Sequence, residues 1–184
     1  MPNWINEPPD GASHSGMRLI RTPATKTLTA CVTSTEIVGC CTHFVGNRTV
    51  PCEGVPNCAP CSEGIPWRWH GYLSCLLRET LEHVLFEFTA ASSDPFKHYI
   101  EVHGTLRGCK MTARRVNSKH NGRVLIQCRE AELTRIRLPD PPDLKKMMCH
   151  IWNIPTNRAE TPNMARPPFK NLVLKNEPGN GDEI

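Results

Sequence analysis

Long apolar runs are missing from this sequence. No stretch approaches the roughly 20 consecutive apolar residues that a membrane-spanning helix needs, so we expect no membrane partner. The first sixteen residues also lack the basic, apolar and small-residue succession of a signal peptide. We therefore expect a cytoplasmic protein whose ten cysteines stay reduced, which favours metal binding over disulfides.

Signatures of catalysis are missing too. Zinc deaminases combine a P-C-x-x-C segment with an H-x-E triplet whose glutamate moves protons, and this chain has no such triplet upstream of its cysteines. It also has no G-x-S-x-G, no phosphate-cradling glycine loop and no carboxylate pair at a spacing that suggests two-metal chemistry. We predict that the protein is not an enzyme.

Length and composition predict one domain with tails. A chain of 184 residues, 39% of them hydrophobic, can bury one sizeable core. Polar, proline-rich sequence at 1–16 predicts a disordered leader, and sequence rich in proline, asparagine and charge at 155–184 predicts a flexible tail. The folded domain is expected over 17–154.

The stretch 43–75 carries the strongest motif. His43, Cys52, Cys58 and Cys61 follow the spacing H-x8-C-x5-C-x2-C, with glycine, proline and asparagine between them. A loop with so little to bury gains folding free energy from a tetrahedral zinc ion held by thiolates and imidazole. We predict a structural zinc site with these four ligands.

Several residues compete for the fourth ligand position. Four lie close enough in sequence to replace His43, namely Cys40, Cys41, His70 and Cys75. The remaining cysteines, each isolated among strand or helix residues, are expected to be buried thiols without a metal: Cys31, Cys109, Cys128 and Cys149.

Alternating apolar residues predict a mainly β fold. The strand-like segments are 26–34, 36–45, 67–77, 83–89, 106–116, 122–130 and 131–138, although 79–83 also suits the start of a helix. Asn121-Gly122 predicts a hairpin turn between 106–116 and 122–130. Short helices are expected over 92–104, capped by serine and aspartate, and from about Pro142, the second with a packing face of Leu144, Met147, Met148, Ile151 and Trp152.

The order of these elements predicts a small antiparallel barrel of the OB type, with an inserted zinc loop and one or two short helices. An SH3-like barrel is the nearest rival. Charge is concentrated on the predicted final hairpin, because 104–137 holds nine lysines and arginines against two acidic residues. A basic block on a folded segment is typical of a surface that binds a polyanion.

The four predicted zinc ligands, set in an OB-like order of elements over 26–138, resemble the zinc-containing single-stranded DNA-binding proteins of T4-type phages. The resemblance implies a bacterial or phage-encoded, nucleoid-associated protein that acts in DNA replication, recombination or repair. The terminal residues 181–184 are similar to the acidic tails through which such proteins recruit protein partners.

Single-strand binders combine cations that follow phosphates with aromatic rings that stack on bases. The segment Trp67-Arg68-Trp69-His70-Gly71-Tyr72 has that mixture. We expect Arg68 and Tyr72 to face outward and at least one tryptophan, chosen here as Trp69, to be partly exposed, although burial of both tryptophans is equally compatible with the pattern. The predicted phosphate-binding residues are Lys110, Arg114, Arg115, Lys119 and Arg123, and Phe44 and Arg48 extend the same nucleic-acid-binding groove.

Two alternatives stay open at this point. RNA is not excluded as the ligand, because stacking and phosphate contacts serve both polymers. A zinc-stabilised adaptor that binds protein instead of nucleic acid is the second function compatible with the sequence, and an exposed apolar patch would distinguish it.

Overall fold

A computed structural model describes residues 17–119, 122–132, 137–152 and 154. It contains eight strands: β1 Leu19–Ile20, β2 Leu28–Val32, β3 Val38–Val45, β4 Arg48–Pro51, β5 Trp67–Leu77, β6 His83–Thr89, β7 Cys109–Arg115 and β8 Val124–Glu130. The helices are α1 Ala59–Ser62, α2 Asp94–His103 and α3 Leu144–Ile151. The predicted leader 1–16 and tail residues 155–184 lie outside the described residues.

The strands form one sheet around the long strand β5. One edge of β5 pairs with β6, and the other edge pairs first with β3 and then with β2. The sheet continues from β2 through β7 to β8, while β4 pairs only with β3. All of these pairs are antiparallel except β1–β6, which is parallel. The fold is therefore mainly β, as predicted, with a mixed sheet that is open across the described residues.

The inner face of the sheet packs against α2. Phe96 and Tyr99 of α2 join Leu73, Phe86 and Met111 of the strands in a single apolar core. The helix begins where Pro95 supplies a fixed φ in the first turn and ends at Gly104, which has a φ of 74°. Ser93 does not cap it as predicted, because its hydroxyl donates to the carbonyl of Ala90.

The outer face of β5 is covered by α3. Tyr72 and Leu85 pack against Leu144 and Met148 in a second apolar cluster. The helix starts after Asp143, whose carboxylate accepts a hydrogen bond of 3.0 Å from the amide of Lys146. Its predicted packing face is otherwise confirmed, but Ile151 is 40% exposed because it lies beyond the edge of this cluster.

One predicted detail needs correction, and another is not described. Of the segment 131–138, predicted as a strand, the described residues 131, 132, 137 and 138 are not in a strand, and 133–136 lie outside the described residues. Asn121 of the predicted hairpin turn also lies outside them. In the described part of the chain, no helix has both the length and the apolar character required to cross a membrane.

Candidate metal centre

A tight hairpin positions the first predicted ligand. β3 and β4 pair from Thr42 to Val45, and the two residues between them, Gly46 and Asn47, have φ of 57° and 63°. Positive φ at both central positions is the conformation of a type I′ turn. The predicted loop at 43–75 is therefore partly regular structure: His43 lies within β3, and Cys52 directly follows β4.

The short helix α1 positions the other two ligands. Cys58 directly precedes α1 and Cys61 lies within it. The carbonyl of Cys58 accepts from the amide of Ser62 at 3.1 Å, so the turn closes between the two thiols. This conformation places two cysteines of a C-x2-C pair on the same side of one turn, as a shared metal ion requires.

The four side chains converge on one point. Their ligand atoms all lie within 4.8 Å of one another. Nε2 of His43 is 3.3 Å from Sγ of Cys58 and 3.4 Å from Sγ of Cys61, and Sγ of Cys52 is 3.5 Å from Sγ of Cys61. Zinc bonds of about 2.3 Å to sulfur and about 2.0 Å to nitrogen give ligand separations of about 3.5–3.8 Å in a tetrahedron. The convergence predicted from sequence is confirmed, and its geometry fits a tetrahedral ion.

The thiols of the site differ in how readily they ionise. Burial opposes ionisation of Cys58, but hydrogen bonds from the backbone of Cys61 and Glu53 outweigh it and lower the pKa of Cys58 to about 7. Burial and hydrogen bonds with Cys52 and Cys58 raise the pKa of Cys61 to about 12. Three thiolates at this separation repel one another, so a divalent ion at their centre would offset the repulsion.

Nε2 is the ring nitrogen of His43 that faces the metal site. The side chain is 1% exposed and directs Nε2 at the sulfurs. Nδ1 is buried and has no hydrogen-bond partner among the described residues. Four protein ligand atoms around one point match the closed four-coordinate donor set of structural zinc sites.

None of the alternative ligands joins the cluster. Cys75 is fully buried in the core, where burial raises its pKa. Burial also raises the pKa of Cys40, to about 12. His70 lies on the outer face of β5, where Nδ1 is 3.0 Å from the hydroxyl of Thr42, and burial lowers its pKa. These side chains have separate roles in packing.

The predicted aromatic residues are placed differently from expectation. Tyr72 was expected on the surface, but it is 1% exposed because α3 covers it, and its ring meets Trp152 edge-on at 5.7 Å. It is therefore not accessible for stacking on a base. Trp69 is half-buried and contacts Phe88 edge-on at 5.8 Å. The exposed aromatic residues of the metal hairpin region are Phe44, at 68%, and Trp67, at 42%.

The predicted cations divide into three groups. Lys110 and Arg114 point outward from β7. Arg68 also lies on the outer face of the sheet, because it pairs with Thr42 and alternates with the inward-facing residues of β5. Arg48, on β4, is exposed but shares the opposite face with Val45. The remaining three are exposed or half-buried around the β7–β8 connection: Arg115, Lys119 and Arg123.

Arg115 has an intramolecular role. Its guanidinium donates to the carbonyls of Thr22 at 2.9 Å and Gly122 at 3.1 Å. Sequence reasoning missed Arg129, which is exposed and directly opposite Lys110 in the β7–β8 register. The alternation of 122–130 contained that signal, because Arg129 follows Gln127 on the polar side.

Comparison with known proteins gives no family for this arrangement. No protein-family model, no curated protein and no solved structure matches the chain.

Proposed function

We propose that this protein binds single-stranded nucleic acid, most specifically single-stranded DNA, and that a structural zinc ion holds the β3–β4 hairpin in the shape this requires. Three thiolates and one imidazole are the donor set that zinc prefers for structural sites. The site holds the hairpin that carries Phe44 and Arg48, so metal and ligand binding are linked through one element.

The carrying observation is a pair of like charges. Lys110 on β7 lies directly opposite Arg129 on β8, and both side chains are exposed. Like charges directly opposite one another destabilise a sheet. Among the residues that the structure describes, neither side chain has an acidic partner within ion-pair distance, whereas Arg18 and Arg21 are each paired with a glutamate. A phosphate between Lys110 and Arg129 would offset their repulsion.

The cationic surface extends along the hairpin. Arg114 is the last residue of the same outward row, which also contains Thr112, and Lys119 and Arg123 lie at the connection to β8. These side chains also lack an ion pair within the described ranges. A row of unpaired cations at strand spacing is suited to successive phosphates of an extended strand.

Phe44 and Arg68 supply the stacking component in place of the buried tyrosine. Phe44 lies two residues beyond Thr42 on β3, and Thr42 pairs with Arg68, so both side chains project from the same face. An exposed ring next to a guanidinium is the combination that single-strand binders use. Its position on the metal hairpin explains why a chain of this kind would retain a metal site.

We further propose that the sheet is a partly open OB-like barrel. β2, β5, β6, α2, β7 and β8 follow one another in the order of the five OB strands and their helix. The β3–β4 hairpin and the metal site are then an insertion between the first two strands. We propose on this basis that the chain is a zinc-containing single-strand binder similar to those of T4-type phages, with a cytoplasmic, nucleoid-associated role in replication, recombination or repair.

The test is a salt titration with a fluorescent 15-nucleotide DNA strand. Binding through several phosphates should weaken steeply as the salt concentration rises. A plot of log K against log salt concentration should fall with a slope of about 0.7 per phosphate contact. The double variant Lys110→Gln, Arg129→Gln should bind more weakly and reduce the slope by about 1.4. Lys97→Gln is the matched control, because Lys97 is exposed on α2 and pairs with Asp94. Absence of binding at low salt would refute the proposal.

One observation favours the adaptor as a second candidate. Val55 is 79% exposed, and Phe44 and Trp67 are two further exposed apolar residues close to the metal ligands in the sequence, on opposite faces of the sheet. Large exposed apolar residues can mark protein-interaction surfaces. If the zinc-loaded protein binds no oligonucleotide, RNA included, this surface becomes the leading interpretation.

A further inference from the structure

A cavity of about 410 Å³ lies between α3 and the segment 51–57 beside the metal site, which we call the metal loop. Its floor is the outer face of β3 and β5, its walls are the metal loop and α3, and Cys52 of the metal site is part of its lining. This volume falls within the range of about 300–1,000 Å³ that small-molecule sites occupy. Its lining is mainly apolar, with Val38, Met148 and Trp152 as the large contributors.

One buried polar group in this lining is unsatisfied. Tyr72 lines the cavity and is 1% exposed, and its hydroxyl has no hydrogen-bond partner among the described residues. Leaving a buried hydroxyl without a hydrogen-bond partner is energetically unfavourable. The pKa of Tyr72 is raised, first by burial and then by Glu87, so the hydroxyl is a proton donor at neutral pH. A ligand that brings an acceptor to it would recover the missing bond.

Polar groups at the rim add two further kinds of contact. Asn57 is exposed in the lining and offers an amide that both donates and accepts. Lys145 is exposed at the first turn of α3 and makes no ion pair in the described part of the chain, whereas its neighbour Lys146 is 3.5 Å from Asp143. Glu53 is the one acidic residue in the lining.

We propose that this cavity binds a nucleotide: its base lies in the apolar part, its edge meets Tyr72 and Asn57, and its phosphate pairs with Lys145. Aromatic walls suit a planar base, the amide and hydroxyl suit its edge, and the ammonium suits a phosphate. The base can belong to a free mononucleotide or to a strand held by the basic surface, and only the second source rests on the proposed function.

The experiment measures nucleotide binding to the zinc-loaded full chain by calorimetry. The probes are the 5′-monophosphates of adenosine, guanosine, cytidine and thymidine, each with its nucleoside lacking phosphate. Tyr72→Phe removes only the hydroxyl and should weaken both probes about tenfold. Lys145→Gln should weaken binding of the monophosphate by a similar factor and leave the affinity for the nucleoside unchanged. Lys146→Gln is the matched control and should alter neither.

A second arm uses the 15-nucleotide strand with the same three variants. Weaker strand binding in Tyr72→Phe and Lys145→Gln, with Lys146→Gln unchanged, assigns the cavity to a base of the bound strand even if mononucleotides do not bind. If mononucleotides do not bind and all three variants bind the strand with the affinity of the natural chain, the proposal is overturned. That outcome leaves the Lys110 and Arg129 result intact, and mononucleotide binding without strand binding would conversely refute only the proposed function.

Discussion

Gly39 on β3 lies directly opposite Gly71 on β5. The indole of Trp69 lies against both, because a Cβ added to either glycine would overlap the ring. At Gly71 the added carbon would also meet the ring of Phe88. The glycine pair therefore creates the space that a large half-buried aromatic residue occupies in the sheet, a structural role for Trp69.

This relationship predicts that Gly71→Ala is destabilising. The added methyl group forces Trp69 or Phe88 out of position, and overpacking of this kind costs about 1–3 kcal/mol. Urea unfolding of the zinc-loaded protein measures the change. Val102→Ala, at an exposed position of α2, is the control and should stay within about 0.5 kcal/mol. Equal stability of Gly71→Ala and the natural chain would contradict the packing described.

Two arginine–glutamate pairs near β1 allow an internal comparison. Arg21 contacts both oxygens of Glu87 at 2.7 and 3.2 Å, and the Glu87 side chain is only 6% exposed. Arg18 contacts Glu82 at 2.9 and 2.7 Å, but both side chains are substantially exposed. The two pairs share geometry and differ in burial.

We expect Arg21→Ala to lower the free energy of unfolding by about 2 kcal/mol, because it leaves a buried carboxylate without its partner. Arg18→Ala should lower it clearly less than Arg21→Ala does, since exposed pairs are screened by water. Thermal and urea unfolding at the same pH measure both. A larger loss for Arg18→Ala than for Arg21→Ala would be inconsistent with this burial difference.

We expect the partly buried environment of His83 to make the folded protein less stable in acid. Its Nε2 is 2.7 Å from the hydroxyl of Thr33, and its pKa is lowered, first by burial and then by the Arg107 guanidinium. Below the ordinary value of 6.5 the unfolded chain therefore binds more protons than the folded one, so stability falls as the pH drops below about 6.5. Above that pH this contribution is constant.

The measurement is the free energy of unfolding at pH 7.5 and at pH 5.5. His83→Gln should show a smaller loss between the two than the natural chain, even if its stability at neutral pH is reduced. His98→Gln, at an exposed position on α2, is the control and should retain the full dependence. An unchanged slope in His83→Gln would exclude this side chain as a source of the effect.

Sequence patterns predicted those parts of the molecule that depend on local alternation or spacing. The alternation of apolar and polar residues in β7 matches its two faces, since Cys109, Met111 and Ala113 are buried while Lys110 and Arg114 are exposed. The four ligand atoms converge because turn residues and a C-x2-C pair restrict a short segment. Both results come from interactions within a few dozen residues.

The misplaced residues depend on distant contacts. Alternation correctly separated Trp69 from Tyr72, but it could not show that α3, more than 60 residues later, covers the outer face and buries Tyr72. The strand β1 was missed because only two residues pair with β6. Gly46-Asn47 did carry a local hairpin signal, and it was overlooked because the stretch was interpreted as loop.

The ligand assignment predicts one zinc ion per chain. Cys58→Ser should lose the ion, because Cys58 supplies the thiolate with the lowered pKa and a hydroxyl is a poor zinc ligand. We expect the free energy of unfolding to fall by about 3–5 kcal/mol, and a strong chelator to reproduce that loss in the natural chain. Elemental analysis and thermal unfolding measure the two effects.

Cys41→Ser is the matched control for that experiment. Cys41 precedes His43 by two residues on β3, and it lies outside the cluster. The variant should keep one zinc per chain and should still be destabilised by the chelator. Loss of zinc from Cys41→Ser, with retention in Cys58→Ser, would replace the proposed ligand set.

Phe44 provides the sharpest link between the metal site and the proposed function. It is 68% exposed, so Phe44→Ala should cost almost no stability. If the ring stacks on a base, the affinity for the DNA strand should fall by a factor of about 5–150, since a stack contributes about 1–3 kcal/mol. The salt slope should stay unchanged, because no phosphate contact is lost.

Val102→Ala is the appropriate control for Phe44→Ala, because Val102 is 62% exposed on α2, a different element from the metal hairpin. It should leave the affinity unaltered. A Phe44→Leu variant separates stacking from apolar contact, since it keeps the bulk and removes the π-face. Full affinity in both Phe44 variants would exclude stacking there, and reduced affinity only in Phe44→Ala would show that the position contributes apolar contact alone.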